Sequence, residues 1–391
     1  MKIFFSAGEP SGDVHTASLM HALREQRDGI DFCGFGGHHM EAAGCQLLYP
    51  LAEHPVIGFL PAIAQVGHFL KLACRADRYF REQRPHAVVL VDYPGFNWWI
   101  ARRAKAHGIP VFYFLPPQIW AWATWRVSKM RRFVDHVLCS MPFEQSWYHE
   151  RGVNATFTGH PYFDELRHQR LDADFLAGYT STPDSPVIGI LPGSRTSEVT
   201  RIFPMYLRAA ERIAHVFPKT RFPVACLRPD HLEFVEQRIA AARPAFDIRP
   251  HVGRTAEIIR ASHACLSKSG SVSLELLYHT KPSTILYQIT RYDYGIYRFL
   301  RGTGVMATKY ITLVNLLAGR ELFPEFVSCR DVSEPISRHV LTWLQNAAAH
   351  AHTVSELTRL KARVAQPGAT ARTARYILDV LGQKTQLPVA A

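Results

Sequence analysis

The sequence lacks any C-x-x-C pair: its seven cysteines, at 33, 45, 74, 139, 226, 265 and 329, are odd in number and widely scattered. No zinc ribbon or dithiol redox motif is therefore available, and the thiols read as buried groups in a reducing cytoplasm. No stretch offers the roughly 18 uninterrupted apolar residues of a membrane-spanning helix; the nearest, Pro55 to Cys74, is broken by Gln65, Gly67, His68 and Lys71. The opening Met1-Lys2-Ile3-Phe4-Phe5 runs straight into a Gly-rich turn, without the charged leader, long apolar core and cleavage site of a signal peptide, so a cytoplasmic protein is expected. There is no G-x-x-x-x-G-K-[ST], which excludes a P-loop NTPase, and none of the twenty histidines falls in H-E-x-x-H. The one D-x-D, Asp172-Ala173-Asp174, lies in a polar stretch unsuited to a metal–nucleotide site, so neither a bound metal nor a cofactor is expected. Acidic residues are in the minority, 33 against 45 Lys and Arg, and the net charge of +12 should draw phosphates: nucleotide, nucleic acid or anionic lipid. Nucleic acid fits least, because no recognised nucleic-acid module is present.

What is present is a chain of 391 residues, 47% hydrophobic, 20% charged and 12% aromatic. That is a globular composition, and the length exceeds the roughly 250 residues at which single cores stop growing. Two α/β domains are expected. Strands are predicted at Lys2–Ala7, Asp31–Gly34, Ala87–Val91, Val111–Leu115, His136–Cys139 and Thr156–Thr158. Unbroken apolar runs such as Ala87-Val88-Val89-Leu90-Val91 suit strands buried on both faces of a parallel, doubly wound sheet. The polar stretch Asp164–Pro186 reads as an interdomain linker. A second series follows, with strands at Val187–Leu191, Phe222–Leu227, Asp247–Arg249, His263–Ser267 and Thr284–Tyr287 and helical stretches at Tyr206–Val216 and Leu232–Ala242. The expected domains are residues 1–165 and 186–365, each Rossmann-like, with 366–391 a C-terminal helix returning to the first. Ligands in such sheets bind beyond the carboxyl ends of the strands, here in a shared cleft.

Four segments carry candidate chemistry. Ser6-Ala7-Gly8-Glu9-Pro10-Ser11-Gly12-Asp13 joins a strand to a helix expected to begin near Val14; its backbone N–H groups suit an anion or a sugar hydroxyl, and an ordinary turn capped by Asp13 has equal weight. Val91-Asp92-Tyr93-Pro94-Gly95-Phe96-Asn97 puts a carboxylate at the end of an apolar strand, where desolvation would make Asp92 a usable general base; a helix-capping aspartate is the plain alternative. Leu191-Pro192-Gly193-Ser194-Arg195 combines close backbone approach, a hydroxyl and a guanidinium that suits a diphosphate. Ser267-Lys268-Ser269-Gly270-Ser271-Val272-Ser273-Leu274-Glu275 opens a helix with hydroxyls and N–H groups for phosphate and a carboxylate for ribose hydroxyls. Gly34-x-Gly36-Gly37 is read only as a turn.

Between Val56 and Leu70 apolar residues crowd together, followed by Lys71, Arg75 and Arg78 at helical spacing, the pattern of a helix lying in a membrane interface or, with similar weight, of a core helix with a solvated end. Trp98, Trp99, Trp120, Trp122 and Trp125 line a greasy pocket or fill the core.

Taken together with Gln118-Ile119-Trp120-Ala121-Trp122 and Asn315-Leu316-Leu317-Ala318-Gly319-Arg320-Glu321-Leu322, these motifs resemble the lipid-A-disaccharide synthases, GT-B glycosyltransferases of family 19, across nearly all of residues 1–381. The resemblance implies an inverting transfer of 2,3-diacylglucosamine from UDP to the 6-hydroxyl of 2,3-diacylglucosamine 1-phosphate. It implies Asp92 and Arg195 as catalytic residues. The nucleotide would be held by Gly193, Ser194, Arg195, Ser269, Gly270, Ser271, Ser273, Glu275, Asn315 and Glu321, and the acceptor by Gly8, Glu9, Ser11, Gly12, Asp13, Gln118 and Trp120. It further implies a peripheral place on the cytoplasmic face of the inner membrane, through Val56–Leu70 and nearby basic residues, and leaves room for a homodimer. Gly95 stands where many relatives carry a second aspartate, and Val314 where proline is frequent. Rival readings are another GT-B enzyme, such as a UDP-GlcNAc 2-epimerase or the transferase that makes peptidoglycan lipid II, and a non-catalytic membrane-associated nucleotide-binding protein.

Overall fold

A computed structural model describes residues 1–53, 66–303 and 308–386. The chain forms two compact units, one of Met1–Glu165 with Gln366–Ala391 and one of Leu166–Ala365.

The first unit is built on a parallel sheet of seven strands among the described residues, in the order β3-β2-β1-β4-β5-β6-β7. These are β1 (Lys2–Ala7), β2 (Asp31–Phe35), β3 (Cys45–Tyr49), β4 (Ala87–Val91), β5 (Val111–Phe114), β6 (His136–Cys139) and β7 (Ala155–Phe157). β1 and β4 pair from Ile3 opposite Ala87 to Ala7 opposite Val91, so residues 8 and 92 leave the sheet side by side. Both faces of the central strands are covered. Phe4, Val88, Leu90 and Tyr113 face one core layer with Phe80, Phe96 and Ile100. Ile3, Phe5, Val89, Val91 and Phe112 face the other with Leu19, Leu23 and the helix Ala369–Gln386, through Ala374, Ile377 and Leu381. That helix therefore belongs to the first unit although the second intervenes in sequence.

Among the described residues the second unit carries six parallel strands in the order β10-β9-β8-β11-β12-β13: β8 (Ile188–Leu191), β9 (Arg221–Cys226), β10 (Asp247–Val252), β11 (Ala264–Lys268), β12 (Ser283–Gln288) and β13 (Glu325–Ser328). Its core packs Ile190, Val224, Leu266 and Leu286 against Phe203, Tyr206, Ile213 and Trp343.

Several expectations change. β3 and β13 escape sequence reading because both are edge strands; all four residues of β13 are only partly buried, so no continuous apolar run marks it. The stretch expected as a linker folds into the helices Tyr162–His168 and Ala173–Gly178. Asp172 makes the second possible: its side chain accepts the N–H groups of Asp174 and Phe175 at 3.0 and 3.1 Å and pairs with Arg254 at 2.8 Å. The helix predicted from Tyr206 begins at Thr196 and runs through Pro204. The first helix begins at Pro10 rather than near Val14, as proline at a first helical position permits. No helix among the described residues is long and apolar enough to cross a membrane.

Candidate active site

In the first unit the carboxyl ends of β1 and β4 carry two acids. Asp92 and Tyr93 both take left-handed backbone angles, φ +41° and +44°, which cost free energy in residues with a side chain and persist only where the surroundings impose them. Asn97, wholly buried, does so here. Its Nδ2 donates to the carbonyls of Ser6, Val91 and Asp92 at 3.2, 3.2 and 2.8 Å, and its Oδ1 accepts from Ser6 Oγ at 2.7 Å. Tyr113 Oη donates to the same Asp92 carbonyl at 2.8 Å. The helix starts at Pro94 with Tyr93 as its N-cap, so Asp92 is not the capping aspartate of the plain alternative. Burial raises the Asp92 carboxyl to about 6, helped by the charge of Glu9 and opposed by the Tyr93 N–H and His15. A carboxylate that titrates there holds a proton weakly enough to release it near neutrality and strongly enough to take one.

Gly8 has a steric reason to be glycine: a Cβ there would lie 2.1 Å from Cδ1 of Tyr93. Glu9 stands at the N-cap of the helix Pro10–Gln26 and is partly exposed, while Ser11 is exposed and Gly12 is packed among Ala7 and Val91. Two expected acceptor residues have other work. Asp13 is buried and accepts the N–H groups of Gly37, His39 and Met40 at 2.7, 3.0 and 3.1 Å, capping the short helix His38–Ala42. His38 and His39 bring nitrogen atoms within 4.8 Å of that carboxylate, but its oxygens are already engaged by the backbone. Trp120 is buried, edge-on to Phe143, and its indole N–H donates to Glu144 at 2.9 Å. Gln118, at the N-cap of the helix Ile119–Trp122, is exposed.

Sequence reasoning missed a neighbouring set. His15 Nδ1 lies 2.7 Å from Glu165, and its ring meets that of His160 edge-on at 5.9 Å. Burial, with the nearby His15, pushes His160 down to about 3, so it is neutral. These residues lie 150 and 145 positions apart in sequence (165 minus 15, 160 minus 15), and only the sheet brings them together.

In the second unit the turn after β8 and the last residue of β11 meet on one carboxylate. Glu198 Oε2 accepts from the N–H groups of Ser194 and Arg195 at 3.2 and 3.4 Å; Oε1 lies 3.3 Å from Arg195 Nη1 and 2.9 Å from Lys268 Nζ. Burial would raise this acid, but Lys268, the Arg195 N–H and the Arg195 guanidinium outweigh it and hold the carboxyl below its usual range. Gly193, at φ +132°, gives Glu198 room: a Cβ there would sit 2.7 Å from Oε2. The N–H groups expected to meet a diphosphate at Ser194 are thus already met by an internal anion, leaving the two cations as the groups that can reach outward. The Arg195 side chain is 57% exposed, and Lys268, whose role the motif alone does not reveal, brings a second charge to it.

Ser269 is buried, Gly270 and the exposed Ser271 lead into the helix Val272–Tyr278, and Ser273 Oγ donates back to the Gly270 carbonyl at 2.8 Å. Ser273 is therefore a brace of the turn. Glu275 is buried in the same helix. Asn315 is likewise engaged within the fold. Its Nδ2 donates to the Phe323 carbonyl and Glu325 at 2.7 and 2.8 Å, and its Oδ1 accepts from Leu322 and Phe323, so the side chain fixes the segment after the helix Leu313–Ala318. Glu321 in that segment is exposed, and burial together with Glu325 raises its carboxyl.

Comparison with known proteins bears on the fold and the family. Solved structures with the same fold include the MnaA protein of S. aureus with UDP (TM-score 0.65, 13% identity, 99% of this chain and 98% of that one). The calicheamicin glycosyltransferase CalG4 is another (TM-score 0.56, 14% identity, 98% of each chain). Both are two-sheet GT-B proteins in architecture, and at such identities they establish the fold alone. In sequence, a lipid-A-disaccharide synthase of Anaeromyxobacter dehalogenans is 35% identical over 381 residues, 97% of both chains, and that of Myxococcus xanthus 31% identical over 383, again 97% of both. The sequence model described as lipid-A-disaccharide synthetase matches residues 3–375, and the chain belongs to that family of glycosyltransferases.

Proposed function

We propose that the reaction is an inverting transfer of 2,3-diacylglucosamine from its UDP conjugate to the 6-hydroxyl of 2,3-diacylglucosamine 1-phosphate, giving the lipid A disaccharide 1-phosphate and UDP. Asp92 takes the proton of the attacking hydroxyl as the new O6–C1 bond forms and the bond from C1 to the UDP oxygen breaks. Glu9, at the end of the neighbouring strand, keeps that base from ionising at lower pH and offers an acceptor to a sugar hydroxyl. In the second unit Arg195 and Lys268 stabilise the departing diphosphate, and no metal is required. The observation that carries the reading is the Asp92 turn: a partly buried acid raised to about 6, in a strained backbone held by Asn97 and Tyr113, in a chain of this family.

The lipid substrates call for a protein peripheral to the membrane whose surface approaches the bilayer, on the cytoplasmic face of the inner membrane. In the helix Val66–Gln83, Leu72, Ala73, Ala76 and Phe80 face the core while Lys71, Arg75 and Arg78 are exposed, with Val66 and Leu70 exposed at its start. Residues 56–65 of the expected membrane segment lie outside the described residues. Beside the helix runs a groove of about 700 Å³ lined by Trp98, Trp99, Arg102, Arg103 and Lys129, aromatic and cationic together as a headgroup surface requires.

The test is incubation with UDP-diacylglucosamine and acylated glucosamine 1-phosphate, with the product weighed by mass spectrometry: a disaccharide is expected. UDP-GlcNAc alone serves as the control, since epimerisation without acceptor would replace this reading by the epimerase one.

A further inference from the structure

The most exposed large apolar side chains among the described residues are Tyr292, at 78%, and Phe299, at 68%. Both belong to the helix Arg291–Gly302 of the second unit. Seven residues apart, they fall within about 20° of each other around the helix axis, and Gly295 lies between them. None of the described side chains in this helix is buried. The sequence nevertheless alternates apolar and polar positions at helical spacing, which is what a helix needs when one side is to be covered.

Its other side is cationic. Arg291, Arg298 and Arg301 stand against a single acid, Asp293, whose carboxylate is tied to the capping Thr290 hydroxyl at 2.7 Å. Arg301 donates to Tyr297 Oη at 2.6 Å and lies over that ring, so cation and aromatic share one surface. The helix follows directly on β12, and all six strands of its sheet are parallel. It therefore emerges at the same edge of the sheet as the turns carrying Arg195 and Lys268.

We infer that the helix Arg291–Gly302 docks on an anionic lipid surface, its aromatics at the acyl boundary and its arginines on the phosphates. Three features favour lipid over a second copy of this chain. A two-fold pairing of the aromatic stripe would leave the arginines of both copies without an anion to meet. Tyrosine and arginine both present an apolar body and a polar tip, which suits the headgroup layer. The edge it occupies is where a donor carrying acyl chains would bring its diphosphate. This last point rests on the proposed reaction; the first two do not.

The experiment uses the full chain, with Tyr292→Ser/Phe299→Ser and Arg291→Gln/Arg298→Gln, co-sedimented with phosphatidylcholine vesicles with and without phosphatidylglycerol. The aromatic pair should lower partitioning onto phosphatidylglycerol vesicles about tenfold, and the arginine pair should remove the preference for anionic lipid and its salt dependence. Transfer between detergent-dispersed substrates should stay within about twofold, while transfer between vesicle-embedded substrates falls. Because all four side chains are exposed, the melting temperature should not move. Unchanged partitioning of both variants overturns the inference. So does a change in sedimentation mass with partitioning intact, which would assign the stripe to self-association. If no form transfers sugar, the proposed reaction fails while the vesicle measurement still decides this one.

Discussion

The ammonium of Lys268 lies 2.9 Å from Glu198 Oε1, and that contact joins the carboxyl end of β11 to the helix that follows β8. Because the same carboxylate holds Arg195 at 3.3 Å, one acid sets two cations beside each other. In the proposed reaction Glu198 is a positioning residue, since it fixes the two cations assigned to the diphosphate.

Glu198→Gln keeps the shape and removes the charge. Both cations lose their common anchor, and UDP affinity, measured by titration calorimetry, should fall about tenfold, or about 1.4 kcal/mol. Lys268→Met should weaken UDP to a similar degree, and the two changes together should cost less than their sum, since they act through one contact.

Gly8→Ala drives a methyl into the Tyr93 ring, with a Cβ only 2.1 Å from Cδ1. The ring cannot yield without disturbing the Asp92 turn. A loss of about 2–3 kcal/mol in denaturant unfolding is expected, with a larger loss of turnover than of UDP binding. Gly95→Asp is the contrasting change. Nothing lies within 4 Å of a Cβ there, so stability should be unchanged whatever the added carboxylate does to the rate.

These two glycines show where sequence reading reaches and where it stops. The buried runs of β1, β4 and β8 identify themselves, and the strand-ending motifs point at once to residues 8, 92 and 193. What a polar side chain does after that depends on partners brought from elsewhere in the fold. Asp13 caps a helix that begins 25 residues later (38 minus 13), Trp120 donates inward to Glu144, and Asn315 braces Phe323, partners that the local motifs do not announce. His15 and Glu165 escape sequence reading, and Lys268 stands in its motif without a role, for the converse reason that their significance lies wholly in long-range contacts.

The rate should depend on pH through Asp92. A base raised to about 6 is ionised above that value, so kcat/KM should fall as pH drops through about 6. Glu9→Gln removes a charge that raises Asp92 and should move this acid limb to lower pH. The sign for stability is the reverse: a carboxyl whose folded value lies above its unfolded one weakens the fold once pH rises through the folded value. Asp92→Asn should therefore be more stable than the parent chain at pH 8, by up to about 2 kcal/mol in denaturant unfolding.

Acid should destabilise the protein through its histidines. Burial lowers His160 to about 3 and His263 and His279 to about 4, so each remains neutral in the fold. The unfolded chain begins to bind protons at these sites near pH 6.5, and the melting temperature should drop steadily from there toward pH 4.

Treatment with EDTA should leave the transfer rate unchanged, because the proposed reaction gives the diphosphate to Arg195 and Lys268 and not to a metal. A strict requirement for magnesium would remove Arg195 and Lys268 from that role.

The most direct test of the base assignment compares disaccharide formation by the parent chain and Asp92→Asn, with UDP affinity measured on both. Turnover should fall by about 10²–10⁴ while UDP binds as before. Turnover within a few-fold of the parent chain would contradict the account, because the proton of the acceptor hydroxyl would then be taken by another group.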